Sequence, residues 1–166
     1  MTRLGLISTT LLALAMGACD RQASTPQTEA TLQSAAPDAP AGVSITDVRV
    51  QLPAVPGRPG AAYFTVSTSD AAGLVLAGAS VDRAGRAEMH ETRNSGGASS
   101  MVPVAQVAAS PGQPIRFTPG GHHLMLFELD PTLKAGDTTD LTLIFANGDK
   151  ATAPARVHAG GMEMAH

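Results

Sequence analysis

The stretch TDLTLIFANGDKATAPARV, residues 139–157, decides the fold. Leu141, Leu143 and Phe145 recur at every second position, with Asp140 and Thr142 between them. That period places the apolar side chains on one face of an extended segment and the polar ones on the other. Asn147-Gly148 follows almost at once, and this pair tolerates the positive φ that a tight β-hairpin turn demands. A second apolar run, 151–157, then returns along the first. Nowhere does the chain sustain a helical period across three turns.

Outward from this hairpin the same punctuation repeats. Short segments rich in aliphatic and β-branched residues occur at 43–51, 61–68, 73–81, 86–92, 101–107 and 123–129. Between them lie Pro-Gly-Arg-Pro-Gly at 56–60, Asn-Ser-Gly-Gly at 94–97, Ser-Pro-Gly at 110–112 and Thr-Pro-Gly-Gly at 118–121. Seven or eight short strands with such turns predict an all-β domain, a Greek-key sandwich or small barrel. With no Trp, one Tyr and four Phe, its core has to be aliphatic.

The N-terminal third reads differently. Arg3 precedes an apolar run, residues 4–18, that is shorter than the roughly 20 residues a membrane-spanning helix needs. Residues 1–18 therefore read as a secretory signal peptide. Cys19, the only cysteine, follows Met16-Gly17-Ala18, which resembles a bacterial lipoprotein box and marks Cys19 for lipidation. Asp20 resembles the signal that retains some lipoproteins in the inner membrane. Residues 20–42 are rich in Ala, Ser, Thr, Gln and Pro, with Leu32 as the one larger aliphatic residue. Such a segment buries too little apolar surface to offset its ordering entropy, so 19–42 is expected to be a flexible lipidated linker. The folded β-domain is then 43–157. With 11 Lys and Arg against 14 Asp and Glu and no basic run, nothing suggests nucleic-acid binding.

The placement of His and Met carries the chemistry. Beyond the leader, Met89, His90, Met101, His122, His123 and Met125 fall within one interval, and His158, Met162, Met164 and His166 end the sequence given. Methionines serving only as core filler would scatter through the other strands as well. His123 and Met125 share a face of an extended segment, about 6.6–6.8 Å apart along the chain, close enough to converge on one ion. Leu124 and Leu126 then point the other way, into the core. Met89 and His90 lie on opposite faces, so only one of them joins the site. The Gly/Ser-rich stretch 94–100 reads as a loop that returns Met101 towards His90 and leaves it mobile without metal. Taken singly, Met125 reads as core, and His123 as hydrogen-bonded or solvent-facing; the joint arrangement argues for metal. Soft, neutral thioethers mixed with imidazoles suit copper, above all Cu(I). A site without thiolates also suits an oxidising compartment.

His90, Met101, His123 and Met125 reproduce the spacing H-x10-M-x21-H-x-M, which resembles the signature of the periplasmic copper chaperones called PCuAC. Met89-His90-Glu91, Pro119-Gly120-Gly121 before His123, Leu124-Met125-Leu126 and Lys134-Ala135-Gly136-Asp137 with Leu141-Thr142-Leu143 are similar to the segments flanking it. The resemblance covers 43–157. It implies a cupredoxin-like fold, a Cu(I) site of these four residues, and copper supply to a partner such as a cytochrome c oxidase subunit. His122 stands where many relatives have another residue, and alternation away from Met125 predicts that it is exposed.

The 158–166 tail, with His158, Met162, Met164 and His166, resembles the His/Met-rich extensions of some family members and implies a secondary copper site, for Cu(II) as well. No catalytic constellation accompanies these residues, so no enzymatic activity is expected. A blue-copper carrier would need a Cys thiolate beside two His, and Cys19 is committed to the N-terminus. The alternatives are a copper-buffering or resistance protein using the same ligands, and a structural β-sandwich lipoprotein.

Overall fold

A computed structural model of the chain describes residues 39–161. The expected leader, Cys19, nearly all of the linker, and Met162, Met164 and His166 lie outside the described residues. Ten strands are present: β1 (Val43–Gln51), β2 (Gly60–Thr68), β3 (Leu74–Val81), β4 (Ala84–Ser95), β5 (Ala98–Pro103), β6 (Val107–Ala109), β7 (Ile115–Phe117), β8 (His122–Leu129), β9 (Thr138–Phe145) and β10 (Lys150–His158). There is no helix among the described residues. The all-β class is as the sequence predicts.

Two expectations are corrected. The 94–100 loop is instead a tight hairpin: β4 runs to Ser95, β5 starts at Ala98, and the two residues face each other across Gly96-Gly97, both at positive φ. The single strand expected at 101–107 divides into β5 and β6, and three-residue β7 was not anticipated.

The strands form one continuous sheet in the order β5-β4-β8-β7-β2-β1-β10-β9-β3-β6, with β8 also reaching β2. Its apolar faces share a single core that includes Ile45, Phe64, Leu76, Leu124, Leu141 and Phe145. The decisive hairpin behaves as read: Leu141, Leu143 and Phe145 are buried, and β9 pairs antiparallel with β10 from Ile144↔Lys150 to Thr138↔Arg156. Full burial of each such aliphatic or aromatic side chain contributes roughly 1.5–3 kcal/mol. Phe64 and Phe117 stack with ring centroids 4.3 Å apart and tie short β7 to β2.

Pro154 sits mid-strand in β10, which would be costly if both edges of that strand were paired, because proline has no N–H to give. Here β10 pairs only with β9, at Asp140. β1 bulges between Thr46 and Arg49, with Asp47 at φ 56°, and meets β10 only at Arg49↔Arg156 and beyond.

At the opposite corner the Asp130 carboxylate accepts bonds from the Thr132 hydroxyl (2.7 Å) and backbone N–H (2.8 Å), and from Arg83 (3.4 Å). These bonds, led by the Thr132 hydroxyl, hold its pKa below the usual carboxylate value. A depressed pKa favours the folded state above the ordinary carboxylate range, and that contribution fades as pH falls through the lowered value. Asp130→Asn is therefore expected to make thermal stability less sensitive to acidification, with Tm followed by circular dichroism from neutral to acidic pH.

Candidate metal centre

Strands β5, β4 and β8 lie side by side and set the geometry. In the β4–β8 register His90 faces His123 and Glu88 faces Met125; in the β4–β5 register Thr92 faces Met101. Directly opposed residues share a face, as do residues two apart on one strand. His90, Met101, His123 and Met125 thus lie on one face of three adjacent strands. The fourth strand on this side, β2, presents Ala61 opposite Met125. Gly60 and Ala61 line a cavity of about 320 Å³ that opens between β2, β5, β8 and the 51–54 segment. Met101, His123 and Met125 line it, together with Thr92, Tyr63 and Gly120. His90 does not line this cavity; its ring lies beside that of His123, with centroids 6.1 Å apart. Two metal–nitrogen bonds of about 2 Å each, plus the half-widths of two imidazoles, span about this distance.

The protonation pattern is specific. His123 is 6% exposed, and its Nδ1 lies 3.0 Å from the Gly121 carbonyl oxygen, which can only accept. Nδ1 therefore carries a proton, and in the neutral imidazole Nε2 carries a lone pair. Nε2 is buried and has no hydrogen-bond partner. A buried, unpaired acceptor costs roughly 1–3 kcal/mol, so native structures keep few of them without a role. The same Gly121 carbonyl accepts the Thr92 N–H at 3.1 Å, so one oxygen fixes both the imidazole and the neighbouring strand. Burial raises the Tyr63 phenol above its usual pKa, against the lowering effect of Arg49, whose guanidinium lies 4.8 Å over the ring. Among the described residues no three of His, Cys, Asp and Glu converge on a common point. Beside the histidines, this face carries the thioethers of Met101 and Met125.

Other expected residues fall as follows. Met89 is buried opposite Leu124 and belongs to the core, leaving His90 as the member of that pair on the His123 face. His122 is not exposed, contrary to expectation: it is partly buried with its ring 5.8 Å from that of Phe117. The alternation that removes it from the Met125 face puts it on the Leu124 face, which is the core side. His158 is not in a tail but ends β10, paired with Gln51, and its carbonyl accepts the Leu52 N–H at 2.9 Å. Gly160 lies so close to Leu52, Pro53 and Ala54 that a Cβ would collide with their backbone, and Gly161 lines the same cavity as Met101 and His123. Sequence reasoning missed Glu88, whose carboxylate lies 3.2 Å from His90 Nε2, and Gly121 as the orienting acceptor. The spacing of two between Glu88 and His90 was the available signal for the former.

Over residues 43–157 the chain matches the family described as "Putative lipoprotein LpqE-like". The chain belongs to the LpqE-like family. Within reach of this LpqE-like chain is "Putative lipoprotein Lxx21020" of Leifsonia xyli subsp. xyli (strain CTCB07), 32% identical over 98 residues, 58% of each chain. The chain spans about half the length of the curated relatives it matches. Two solved structures share the LpqE-like fold. The apo PmoF2 PCuAC domain aligns with TM-score 0.62 and 19% identity over 76% of this chain and 98% of that one. The copper-bound PCuAC domain from PmoF2 aligns with TM-score 0.59 and 19% identity over 73% and 96%. The cupredoxin-like fold implied by the sequence resemblance is the one observed.

Proposed function

We propose that this LpqE-like protein is an extracytoplasmic Cu(I)-binding metallochaperone, with His90, Met101, His123 and Met125 as ligands. The observation that carries this reading is His123: a nine-tenths-buried imidazole whose Nδ1 proton is fixed on Gly121, leaving an unpartnered Nε2 lone pair on a face shared with two thioethers. Imidazole ligands of metals characteristically donate their other N–H to a carbonyl or carboxylate in this way. Two uncharged sulfurs favour soft Cu(I) over Zn(II) or Mg(II). The copper-bound state of the PmoF2 domain supports copper as an ion this fold accommodates.

Neutral ligands hold the ion without the charge attraction of a thiolate set, so an acceptor offering thiolates can draw it off by stepwise exchange. A cytochrome c oxidase subunit under assembly is the acceptor that the PCuAC resemblance supplies. The names of relatives as lipoproteins and the residues before Cys19 support attachment to the outer face of a membrane through a lipid on Cys19. Met162, Met164 and His166 would supply a secondary, weaker copper site.

Competition against a chromophoric Cu(I) chelator tests the reading. One tight equivalent is expected for the full chain and for a form ending at Gly161, with weaker additional uptake only in the former. Met101→Ala/Met125→Ala is expected to lose the tight equivalent; unchanged affinity in that double variant would overturn the site. Transfer of copper to an oxidase-subunit fragment beyond a small-chelator control separates delivery from simple buffering.

A further inference from the structure

Resting on the copper reading, we infer that Glu88 is a positioning residue that makes His90 present Nδ1, not Nε2, to the ion. Arg86, Glu88 and His90 alternate onto one face of β4, opposite Phe127, Met125 and His123 of β8. The Arg86 guanidinium lies 4.3 Å over the Phe127 ring and bonds the Glu88 Oε1 atom. The other oxygen, Oε2, lies 3.2 Å from His90 Nε2. A carboxylate accepts and does not donate, so the hydrogen of that bond sits on Nε2. The lone pair of neutral His90 is then on Nδ1, and Nδ1 is buried with no partner.

The two facing histidines are therefore held in opposite tautomers by different acceptors. Gly121 takes the Nδ1 proton of His123 and frees its Nε2; Glu88 takes the Nε2 proton of His90 and frees its Nδ1. Both freed atoms are buried and unpaired, on rings that stand side by side. The arrangement is hard to assign to an ordinary surface ion pair. The side chain of His90 is only 13% exposed. Glu88 itself is a poor ligand for a soft monovalent ion. Its effect is to choose which nitrogen His90 offers and to raise the basicity of that nitrogen, while Arg86, stacked on Phe127, keeps the carboxylate in place.

The test reads the nitrogens directly, by long-range ¹H–¹⁵N NMR of the histidine side chains in the full chain, with and without Cu(I). The apo protein is expected to show the Nε2–H tautomer for His90 and the Nδ1–H tautomer for His123. Cu(I) should then shift His90 Nδ1 and His123 Nε2. Glu88→Ala is expected to abolish the tautomer preference of His90 and weaken Cu(I) binding about 10–100-fold, leaving the tautomer of His123 unchanged. Glu88→Gln retains an amide oxygen as acceptor and should restore most of the tautomer preference. Copper on Nε2 of His90 in the unaltered protein would overturn the inference. So would a folded Glu88→Ala variant that binds Cu(I) within about twofold of the original, against the loss expected for a lost orienting partner. An unaltered chain that takes up no Cu(I) overturns the copper reading and the inference with it.

Discussion

His123→Ala is expected to lower Cu(I) affinity by more than about a hundredfold while leaving the β-fold intact. Removing only the group that orients a ligand commonly costs 10–100-fold, so loss of the ligand itself has to exceed about that range. The effect on stability is smaller because two changes oppose each other. The substitution deletes a buried nitrogen with no partner, which relieves a cost of about 1–3 kcal/mol. It also removes packing beside the cavity and the bond to the Gly121 carbonyl, which still accepts the Thr92 N–H. Apo-protein Tm is thus expected to change little. Added Cu(I) raises the Tm of the original chain in proportion to the logarithm of free metal over Kd, and that increment should vanish in the variant. Chelator competition and paired melts with and without Cu(I) check both halves.

Phe117→Ala is expected to be the most destabilising single change near the site. Phe117 is 1% exposed, stacks on Phe64, and faces His122 at the start of β8. Truncating a buried Phe to Ala costs about 3–5 kcal/mol, a large share of the 5–15 kcal/mol that holds an ordinary domain. For a β-domain of this size the apo Tm should fall by more than roughly 10 °C. β7 has only three residues, and this ring and Ile115 are its buried anchors. Loss of the ring should also loosen the segment that carries Gly121 and His122 into His123, and weaken copper uptake even below the new Tm. A melt of apo protein reads the first effect and a titration well below Tm reads the second.

Most strands were legible because their signal is a period of two bounded by Gly and Pro, as at Leu141, Leu143 and Phe145. β6 and β7 were not, since three residues are too few to establish a period, and Pro111, Gly112 and Pro114 crowd the interval between them. The first half of β5 reads as loop because Ala98, Ser99 and Ser100 lack aliphatic bulk, whereas its second half falls within the expected 101–107 strand. They are exposed, and their extended form is imposed by pairing with β4. The face shared by His123 and Met125 followed from alternation alone. The register that brings His90 opposite His123 did not, because cross-strand pairing is settled by the whole sheet and not by either strand. The error over His122 was one of inference: leaving the Met125 face was equated with reaching solvent, whereas the other face of β8 is the core.

The side chains proposed as ligands differ in how deep they sit, and this would set an order of release. Met101, on edge strand β5, is 61% exposed, Met125 is partly buried, and His123 is 6% exposed. An ion held by all of them has one open flank, on the β5 side. On the proposed site, a competing sulfur arriving from outside would meet the Met101 thioether before the buried His123 nitrogen. The departure rate would then depend on how readily one exposed, unbranched side chain swings aside, and the affinity on the buried imidazole. Residence time and affinity can thereby be tuned by different residues on the same sheet.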